Sequence, residues 1–430
     1  MNPNISSADA QNDPPVNSKI DNLFRREAGK VTAVLTRVFG VNNLELVEDV
    51  VQDTLLKALQ QWPLGGVPEN PEAWIYKAAK NKAVDILRRE KLKDKYASDL
   101  NYLYKSEWTL SKTISEVFSD NEIKDDQLRM IFTCCHPSIP VESQVALALK
   151  TLCGFGIKEI AKAFLLNEET IAKRITRAKT VLRKENIRFQ IPAGDELKER
   201  LNIVLSTLYL LFNEGYNSMN EETLIREDLI AEAIRLTLLL CGHKLTETPA
   251  VHALLSLMLF HTARIPARTD SLGNIYLLEE QDRSLWNRSI INEAIRHMGK
   301  SAEGKEVSEY HLEAGIAYFY TTAESFEKTE WEKILRVYDI MYKTNNSPVV
   351  GLNRAIVYAQ VHGPAAGIKE IKKLEDKAMD KYYLYHSALG EMHSREGNYK
   401  QAEEHFKKAI ELTTSNAEKK LINKKLDAIK

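Results

Sequence analysis

Cysteine is scarce in this chain, which has four in 430 residues: Cys134, Cys135, Cys153 and Cys241. Thiols so few and so scattered exclude a disulfide framework and are typical of a reducing compartment, so we expect a cytoplasmic protein. Three adjacent residues cannot all converge on one ion, so Cys134, Cys135 and His136 do not predict a metal site. We interpret these cysteines as small buried apolar residues. The histidines, among them His252, His261 and His311, we interpret as core or surface residues.

Long apolar runs and targeting signals are also missing. The richest apolar run, Ile203 to Phe212, is far shorter than the roughly 18 residues of a membrane span, so we expect no membrane partner. Residues 1–18 contain neither a basic start nor an apolar core, which excludes a secretory signal as written and predicts a disordered tail.

Charge and chemistry narrow the function further. The 59 Lys and Arg almost balance the 60 Asp and Glu, so any charged partner must be argued from local clusters. The chain has no evident set of convergent carboxylates, no nucleophile with a base and no phosphate-binding glycine loop. We therefore expect a protein that is not an enzyme and uses no cofactor.

Helical periodicity runs through nearly the whole chain, which predicts an all-α protein. A helical block over 19–93 is broken by a glycine- and proline-rich loop at Trp62 to Pro71. Residues 94–126 are polar and acidic and predict a linker. A second block covers 127–190 and ends at the helix-stopping sequence IPAG, after which 195–430 is helical again.

The last 80 residues have the spacing of a tetratricopeptide repeat. The segment Tyr385 to Leu412 places Leu389, Gly390, Gly397, Tyr399, Ala402, Phe406 and Ala409 at that spacing. We expect Tyr399 and Phe406 to fill the space between two antiparallel helices. Because one repeat cannot bury its own apolar face, neighbours are needed, and Leu352 to Leu374 is the best candidate. An amphipathic hairpin without true repeat geometry remains the alternative, above all for 195–340.

The helix predicted over Pro71 to Lys91 has two distinct faces at 100° per residue. Its buried stripe consists of Ile75, Ala79, Ala83 and Ile86. The opposite face carries Trp74, Lys77, Asn81 and Arg88, with Asp85 near its edge. Cations with an aromatic and an amide suit single-stranded DNA, although most such faces are simply solvated.

A sharper pattern follows at Ile157 to Lys184, where two helices joined by a short turn have the lengths of a helix-turn-helix. In the second helix Ile171, Ile175, Ala178 and Leu182 form one stripe, and Thr170, Lys173, Arg177 and Lys184 lie opposite. Six basic and no acidic residues occur between Thr170 and Lys184, so the outward face can enter a major groove. A hairpin with a merely basic face is the alternative.

Together these blocks resemble the sigma-70 family, specifically the extracytoplasmic-function group. VEDVVQDTLLKAL at Val47 to Leu59 looks like its polymerase-binding helix, AWIYKAAKNKAVDILRRE like its promoter-melting helix, and IKEIAKAFLLNEETIAKRITRAK like its reader of the minus-thirty-five element. FTCCHP, LYLLFNEGY, AEAIRL and HGPAAG are similar to the branch of this group that carries a long helical extension.

The resemblance implies the residue roles. Asp49, Gln52 and Asp53 would contact the β′ clamp helices of core RNA polymerase, with the β flap as a further contact. The minus-ten strand would be engaged by Trp74, Lys77, Asn81, Lys82, Arg88 and Arg89. The minus-thirty-five element would be read by Thr170, Lys173, Arg174, Arg177 and Lys184. A protein partner is expected on the C-terminal repeat domain.

Two other functions compete with this interpretation. A stand-alone helix-turn-helix regulator with a repeat-type sensing domain would have no use for the helix at Val47 to Leu59. An enzyme would need one of the catalytic constellations that the sequence lacks.

Overall fold

Helices make up nearly all of the ordered structure in this computed structural model, which describes residues 16–89, 117–164, 166–216, 225–270, 274–374 and 379–429. Within those ranges the one strand-like pairing is an isolated antiparallel bridge between Thr269 and Ile275. The all-α prediction is therefore confirmed. Of the predicted tail, residues 1–15 lie outside the described ranges, whereas the first helix already begins at Val16.

The chain divides into two units, Met1–Thr207 and Leu208–Lys430. The first unit opens with three helices that enclose one apolar core. They are α1 (Val16–Phe39), α2 (Leu44–Gly65) and α3 (Pro71–Arg89). Five more follow: α4 (Asp120–Cys134), α5 (Val141–Thr151), α6 (Ile157–Ala163), α7 (Glu168–Lys184) and α8 (Asp195–Tyr216).

The predicted end of the linker over 94–126 was wrong. Residues 94–116 lie outside the described ranges, but α4 begins at Asp120. Acidic side chains in its first turn favour the positive end of the helix dipole, and Ile123 packs into the core of α1 to α3. The end of the acidic segment is therefore part of a packed helix.

The predicted domain boundary near residue 194 also needs correction, because the two units divide inside α8. The guanidinium of Arg200 donates to the carbonyl of Phe132 at 2.6 Å, and the Thr207 hydroxyl donates to Gln144 at 3.0 Å. These bonds fasten the first part of α8 to α4 and α5. The IPAG sequence ends a helix but does not end the unit.

The second unit contains ten helices among its described residues in addition to the end of α8. They are α9 (Glu227–Cys241), α10 (Pro249–Ala263), α11 (Arg288–Ser301), α12 (Glu309–Thr322), α13 (Trp331–Thr344), α14 (Pro348–His362), α15 (Pro364–Lys372), α16 (Tyr383–Arg395), α17 (Tyr399–Leu412) and α18 (Asn416–Ala428).

Helix α10 is the most apolar helix of the second unit. With the turn that follows it, Pro249–Ala267, it is long and apolar enough to cross a membrane, so the run at Ile203 to Phe212 is not the strongest candidate. Its side chains from Val251 to Phe260 are buried on all sides by the unit itself. A helix that is apolar all round and covered by its neighbours is a core helix.

The last helices form antiparallel hairpins, as the sequence predicts for 352–412. Gly390 on α16 lets the Phe406 ring of α17 approach, since a Cβ at position 390 would stand 2.6 Å from that ring. Phe406, Ala402 and Ala409 are fully buried. The expectation for Tyr399 was wrong, because its side chain is 55% exposed. It is the first residue of α17 and lies outside the packed part of the hairpin. The tetratricopeptide assignment itself stays a prediction.

Candidate nucleic-acid interface

Helix α2 buries one face and leaves the other open. Its buried stripe is Leu44, Val47, Val50, Val51, Thr54, Ala58 and Trp62. Asp49, Gln52 and Asp53 are exposed on the opposite side, where the sequence analysis placed them. On the same face Leu56 and Leu59 are 53% and 52% exposed. The ridge of α2, meaning these five exposed residues, combines acidic, amide and apolar groups.

Leu56 and Leu59 are functional candidates that the sequence analysis missed. At 100° per residue they fall within the sector that also holds Asp49 and Gln52, so the pattern itself carried the signal. Two half-exposed leucines side by side are more informative than isolated surface leucines, which are common.

Helix α3 presents the predicted cationic face. Lys77, Asn81 and Lys82 are exposed, and the ammonium of Lys82 pairs with the carboxylate of Asp53 on α2 at 2.8 Å. The opposite stripe is buried as expected at Ile75, Ala79 and Ala83, while Ile86 is partly buried. The predicted polymerase-binding and minus-ten residues therefore meet at the junction of α2 and α3.

Three of the predicted minus-ten residues need separate comment. Trp74 is half-buried, because its ring packs edge-to-face on Trp62 with centroids 5.6 Å apart. Only part of that ring is therefore free for stacking. Arg88 and Arg89 end α3, but their side chains lie outside the described part of the chain.

The helix-turn-helix is confirmed with its predicted limits. Helix α6 ends at Ala163, and α7 runs from Glu168 to Lys184. The side chain of Asn167 accepts a hydrogen bond from the Thr170 backbone N–H at 2.7 Å, which caps α7. The buried residues of α7 are the predicted Ile171, Ile175, Ala178 and Leu182.

The outward face of α7 carries the predicted cations. Lys173, Arg177 and Lys184 are exposed, whereas Thr170 and Arg174 are half-buried. Lys173 pairs with Glu169 one turn earlier at 2.7 Å, an exposed pair that water screens. This face remains available to a polyanion.

A second edge of α7 is held within the chain. The ammonium of Lys179 pairs with the Glu48 carboxylate of α2 at 2.8 Å, and both side chains are largely buried. Arg183 lies 3.6 Å from Glu45, also on α2. The recognition helix therefore rests on the helix that carries the ridge.

The same closeness holds between α1 and the segment that runs from the end of α5 into α6. Arg25 donates to Glu159 at 2.6 Å, and its guanidinium lies 4.5 Å above the centre of the Phe155 ring. Gly29 faces the Leu152 carbonyl so closely that a Cβ at position 29 would stand 1.9 Å from that oxygen. The two helical blocks are thus in direct backbone contact.

Asp126 on α4 adds a buried charge near α1. Its carboxylate bonds to Arg129 and lies 3.8 Å from Arg37. Its second oxygen, Oδ2, is buried without a hydrogen-bond partner among the described residues. Burial outweighs both arginines and raises the pKa of Asp126 from 3.8 to about 7.

The cysteines of the first unit are buried, as predicted. Cys134, Cys135 and Cys153 are at most 2% exposed. The Cys134 thiol lies 3.2 Å from the Thr151 hydroxyl. Burial raises the pKa of the Cys135 thiol to about 12, which keeps it protonated and unreactive.

Comparison with known proteins gives matches over three segments of the chain. Sigma-70 region 2 matches residues 23–92, Sigma-70 region 4 matches residues 129–182, and a family of unknown function matches residues 200–302. An uncharacterized protein of Rhizobium meliloti (strain 1021) is 34% identical over 390 residues, which span 90% of this chain and 90% of its own. No solved structure matches the chain.

Two proteins of Haemophilus influenzae (strain ATCC 51907 / DSM 11121 / KW20 / Rd) are also similar. One, described as "Probable RNA polymerase sigma factor", is 23% identical over 150 residues, covering 33% of this chain and 77% of its own. The other, the ECF RNA polymerase sigma-E factor, is 26% identical over 166 residues, covering 37% and 83%. With a region 2 core followed by a region 4 helix-turn-helix, the chain belongs to the sigma-70 family as an extracytoplasmic-function type with a C-terminal helical extension.

Proposed function

We propose that this sigma factor binds core RNA polymerase through the ridge of α2 and directs it to specific promoters. The observation that carries the proposal is the ridge itself, where Asp49, Gln52 and Asp53 stand beside two half-exposed leucines. An apolar centre with a polar rim suits a protein partner better than it suits water. The partner surface is the clamp helices of the β′ subunit, and region 4 contacts the β flap.

Promoter DNA binds two separate faces. Trp74, Lys77, Asn81, Lys82, Arg88 and Arg89 engage the minus-ten strand. Thr170, Lys173, Arg174, Arg177 and Lys184 engage the minus-thirty-five element. The exposure of Lys77, Asn81, Lys173 and Arg177 supports both assignments, because exposed cations and amides can reach phosphates and base edges. The function belongs in the cytoplasm, where the DNA is.

The packed first unit is a closed form that must open on the promoter. The names of the two elements place them about 25 base pairs apart, which is roughly 85 Å of duplex at 3.4 Å per base pair. In the structure, α7 and α2 are joined by the 2.8 Å ion pair between Lys179 and Glu48. Two faces that close together cannot reach both elements at once.

The C-terminal helical unit modulates this activity. Its hairpins resemble repeat stacks, which present concave surfaces to a partner peptide or domain, and a protein partner is proposed there. A test by truncation should end after Thr207 rather than near residue 190, because the first half of α8 is bonded into the first unit. A shortened, folded chain should differ from the full chain in transcription, and equal activity across promoters would contradict modulation.

The experiment for the polymerase contact is co-purification of tagged core polymerase with the variant Asp49→Lys/Asp53→Lys. Reversing both charges should abolish the complex. Asp53→Lys also breaks the pair with Lys82, so Asp49→Lys alone isolates the ridge from α3. Glu142→Lys, on the exposed face of α5, is the matched control and should bind normally. Unchanged binding of both ridge variants would overturn the proposed contact.

A further inference from the structure

Three side chains that are metal ligands by type meet inside the second unit, within the segment matched by the family of unknown function. Cys241 is the last residue of α9, His252 lies in the first turn of α10, and His297 lies near the end of α11. One ligand atom from each lies within 4.8 Å of the other two. His252 was predicted to be a core or surface residue, and no spacing in the sequence indicates this cluster.

The distances approach those of a tetrahedral zinc site. Cys241 Sγ lies 3.5 Å from His252 Nδ1, and the Nδ1 atoms of His252 and His297 are 2.8 Å apart. With Zn–S near 2.3 Å and Zn–N near 2.05 Å, tetrahedral angles place sulfur and nitrogen about 3.6 Å apart and two nitrogens about 3.3 Å apart. The distance from Cys241 Sγ to His252 Nδ1 fits, and the two imidazoles need to separate by about half an ångström.

Each imidazole has a carboxylate behind it. His252 Nε2 lies 3.2 Å from Glu247 Oε1, and His297 Nε2 lies 3.3 Å from Glu293 Oε1. Metal-binding histidines characteristically give their second N–H to a carboxylate, which orients the ring and makes the free nitrogen more basic. Both rings are at most 5% exposed, so these orientations are fixed by packing.

The proton count separates a metal site from an ordinary hydrogen-bond network. If both Nε2 atoms donate to their carboxylates, the two Nδ1 lone pairs face each other at 2.8 Å, and either a metal ion or a third proton must lie between them. Arg296 Nη2 also lies 2.9 Å from His297 Nε2, and it can hold that nitrogen unprotonated. His297 Nδ1–H would then donate to His252, and no metal would be required.

We propose that Cys241, His252 and His297 bind one zinc ion, with a water molecule in the fourth position. Thiolate and imidazole are ligands that zinc prefers, and Cys241, the least buried of the three, leaves the open side. The ion would join the end of α9 to α10 and α11. It would add to the contacts that already hold α10 to α11, such as the hydrogen bond from the Ser256 hydroxyl to the Ala294 carbonyl at 2.9 Å. None of the three residues is among those proposed to contact promoter DNA or polymerase.

The test uses the full-length protein, purified under reducing conditions, freed of metal with a chelator and titrated with Co²⁺ as the spectroscopic probe. We expect one equivalent to bind, giving tetrahedral visible bands and a thiolate-to-cobalt band in the near ultraviolet. Zn²⁺ should displace Co²⁺ and raise the Tm. Cys241→Ser should lose the thiolate band, and Glu247→Gln should weaken binding about 10- to 100-fold.

His243→Gln is the matched control, because His243 lies two residues from Cys241 but outside the cluster, and it should bind like the wild type. Circular dichroism shows whether each variant is folded. If Cys241→Ser does not fold, the partly exposed Glu247→Gln still tests the site. Absence of stoichiometric Co²⁺ and Zn²⁺ binding to the wild type would overturn the proposal in favour of the hydrogen-bond network. A thiolate band that persists in Cys241→Ser, or binding of Cu⁺ without Zn²⁺, would overturn it as well.

Discussion

Replacing Gly29 with alanine should open the contact between the two promoter-reading regions. The new Cβ would stand 1.9 Å from the Leu152 carbonyl oxygen, where ordinary contact begins at 3.4 Å. The two backbones must therefore separate by about 1.5 Å, and overpacking of this kind costs about 1 to 3 kcal/mol. That cost favours the open form about 5- to 150-fold.

The substitution should not destabilise helix α1 itself. Alanine is better than glycine inside a helix by about 1 kcal/mol, so α1 gains stability in the closed and open forms alike. Gly315→Ala is the matched control, because Gly315 is also buried within a helix but a Cβ there meets nothing within 4 Å. Only the Gly29 variant should open.

The assay measures the distance between spin labels on genetically encoded keto side chains at Gln60 and Glu185, both exposed. The wild type should give one short distance, and Gly29→Ala should add a longer, broader population. Lys179→Glu should do the same by breaking the pair with Glu48, and the swap Glu48→Lys/Lys179→Glu should restore closure. An unchanged distribution in folded Gly29→Ala would refute the reasoning.

Two further predictions concern promoter reading and pH. Arg177→Ala should reduce discrimination at the minus-thirty-five element by about 1 to 3 kcal/mol, measured as binding of region 4 to matched and mismatched duplexes in the polymerase complex. Asp126 has a pKa raised from 3.8 to about 7 in the folded chain, so its stabilising contribution is complete below pH 3.8 and is lost as pH rises through 7. The Tm of Asp126→Asn should therefore rise relative to that of the wild type between pH 5 and 8. The corresponding gain in unfolding free energy is up to about 4 kcal/mol.

Each of these predictions has a control. Lys150→Ala removes a cation at the end of α5 that is not among the proposed DNA contacts, so it should leave promoter discrimination unchanged. The control for Asp126→Asn is Glu142→Gln, which makes the same carboxylate-to-amide change at an exposed position of α5. Equal discrimination by Arg177→Ala would mean that another face of α7 reads the DNA. A Tm difference between Asp126→Asn and the wild type that stays constant with pH would contradict the raised pKa.

Local physics explains what could be predicted from the sequence. The limits of α7 follow from the Asn167 cap and a clean apolar stripe, both of which are visible within one helix. The ridge of α2 follows from the same periodicity. The burial of Trp74 could not be predicted in this way, because it depends on Trp62, which lies twelve residues earlier and across a loop.

The features that could not be predicted from the sequence depend on contacts between residues that are far apart along the chain. Cys241, His252 and His297 come from three helices, and no short spacing announces that they meet. The contact of Gly29 with Leu152 joins residues from two blocks that the sequence analysis separated by a linker. Where α8 leaves the first unit depends on hydrogen bonds to α4 and α5, whereas the sequence marks only its helix start.

The central claim is that this chain directs core RNA polymerase to specific promoters, and reconstituted transcription tests this claim most directly. Purified core polymerase, with and without the full-length protein, would transcribe a library of genomic promoters, and the 5′ ends of the transcripts would be mapped. We predict a discrete set of start sites that appears only with the protein and disappears with Asp49→Lys/Asp53→Lys. Start sites no different from those of core polymerase alone, with a folded protein present in excess, would contradict the account.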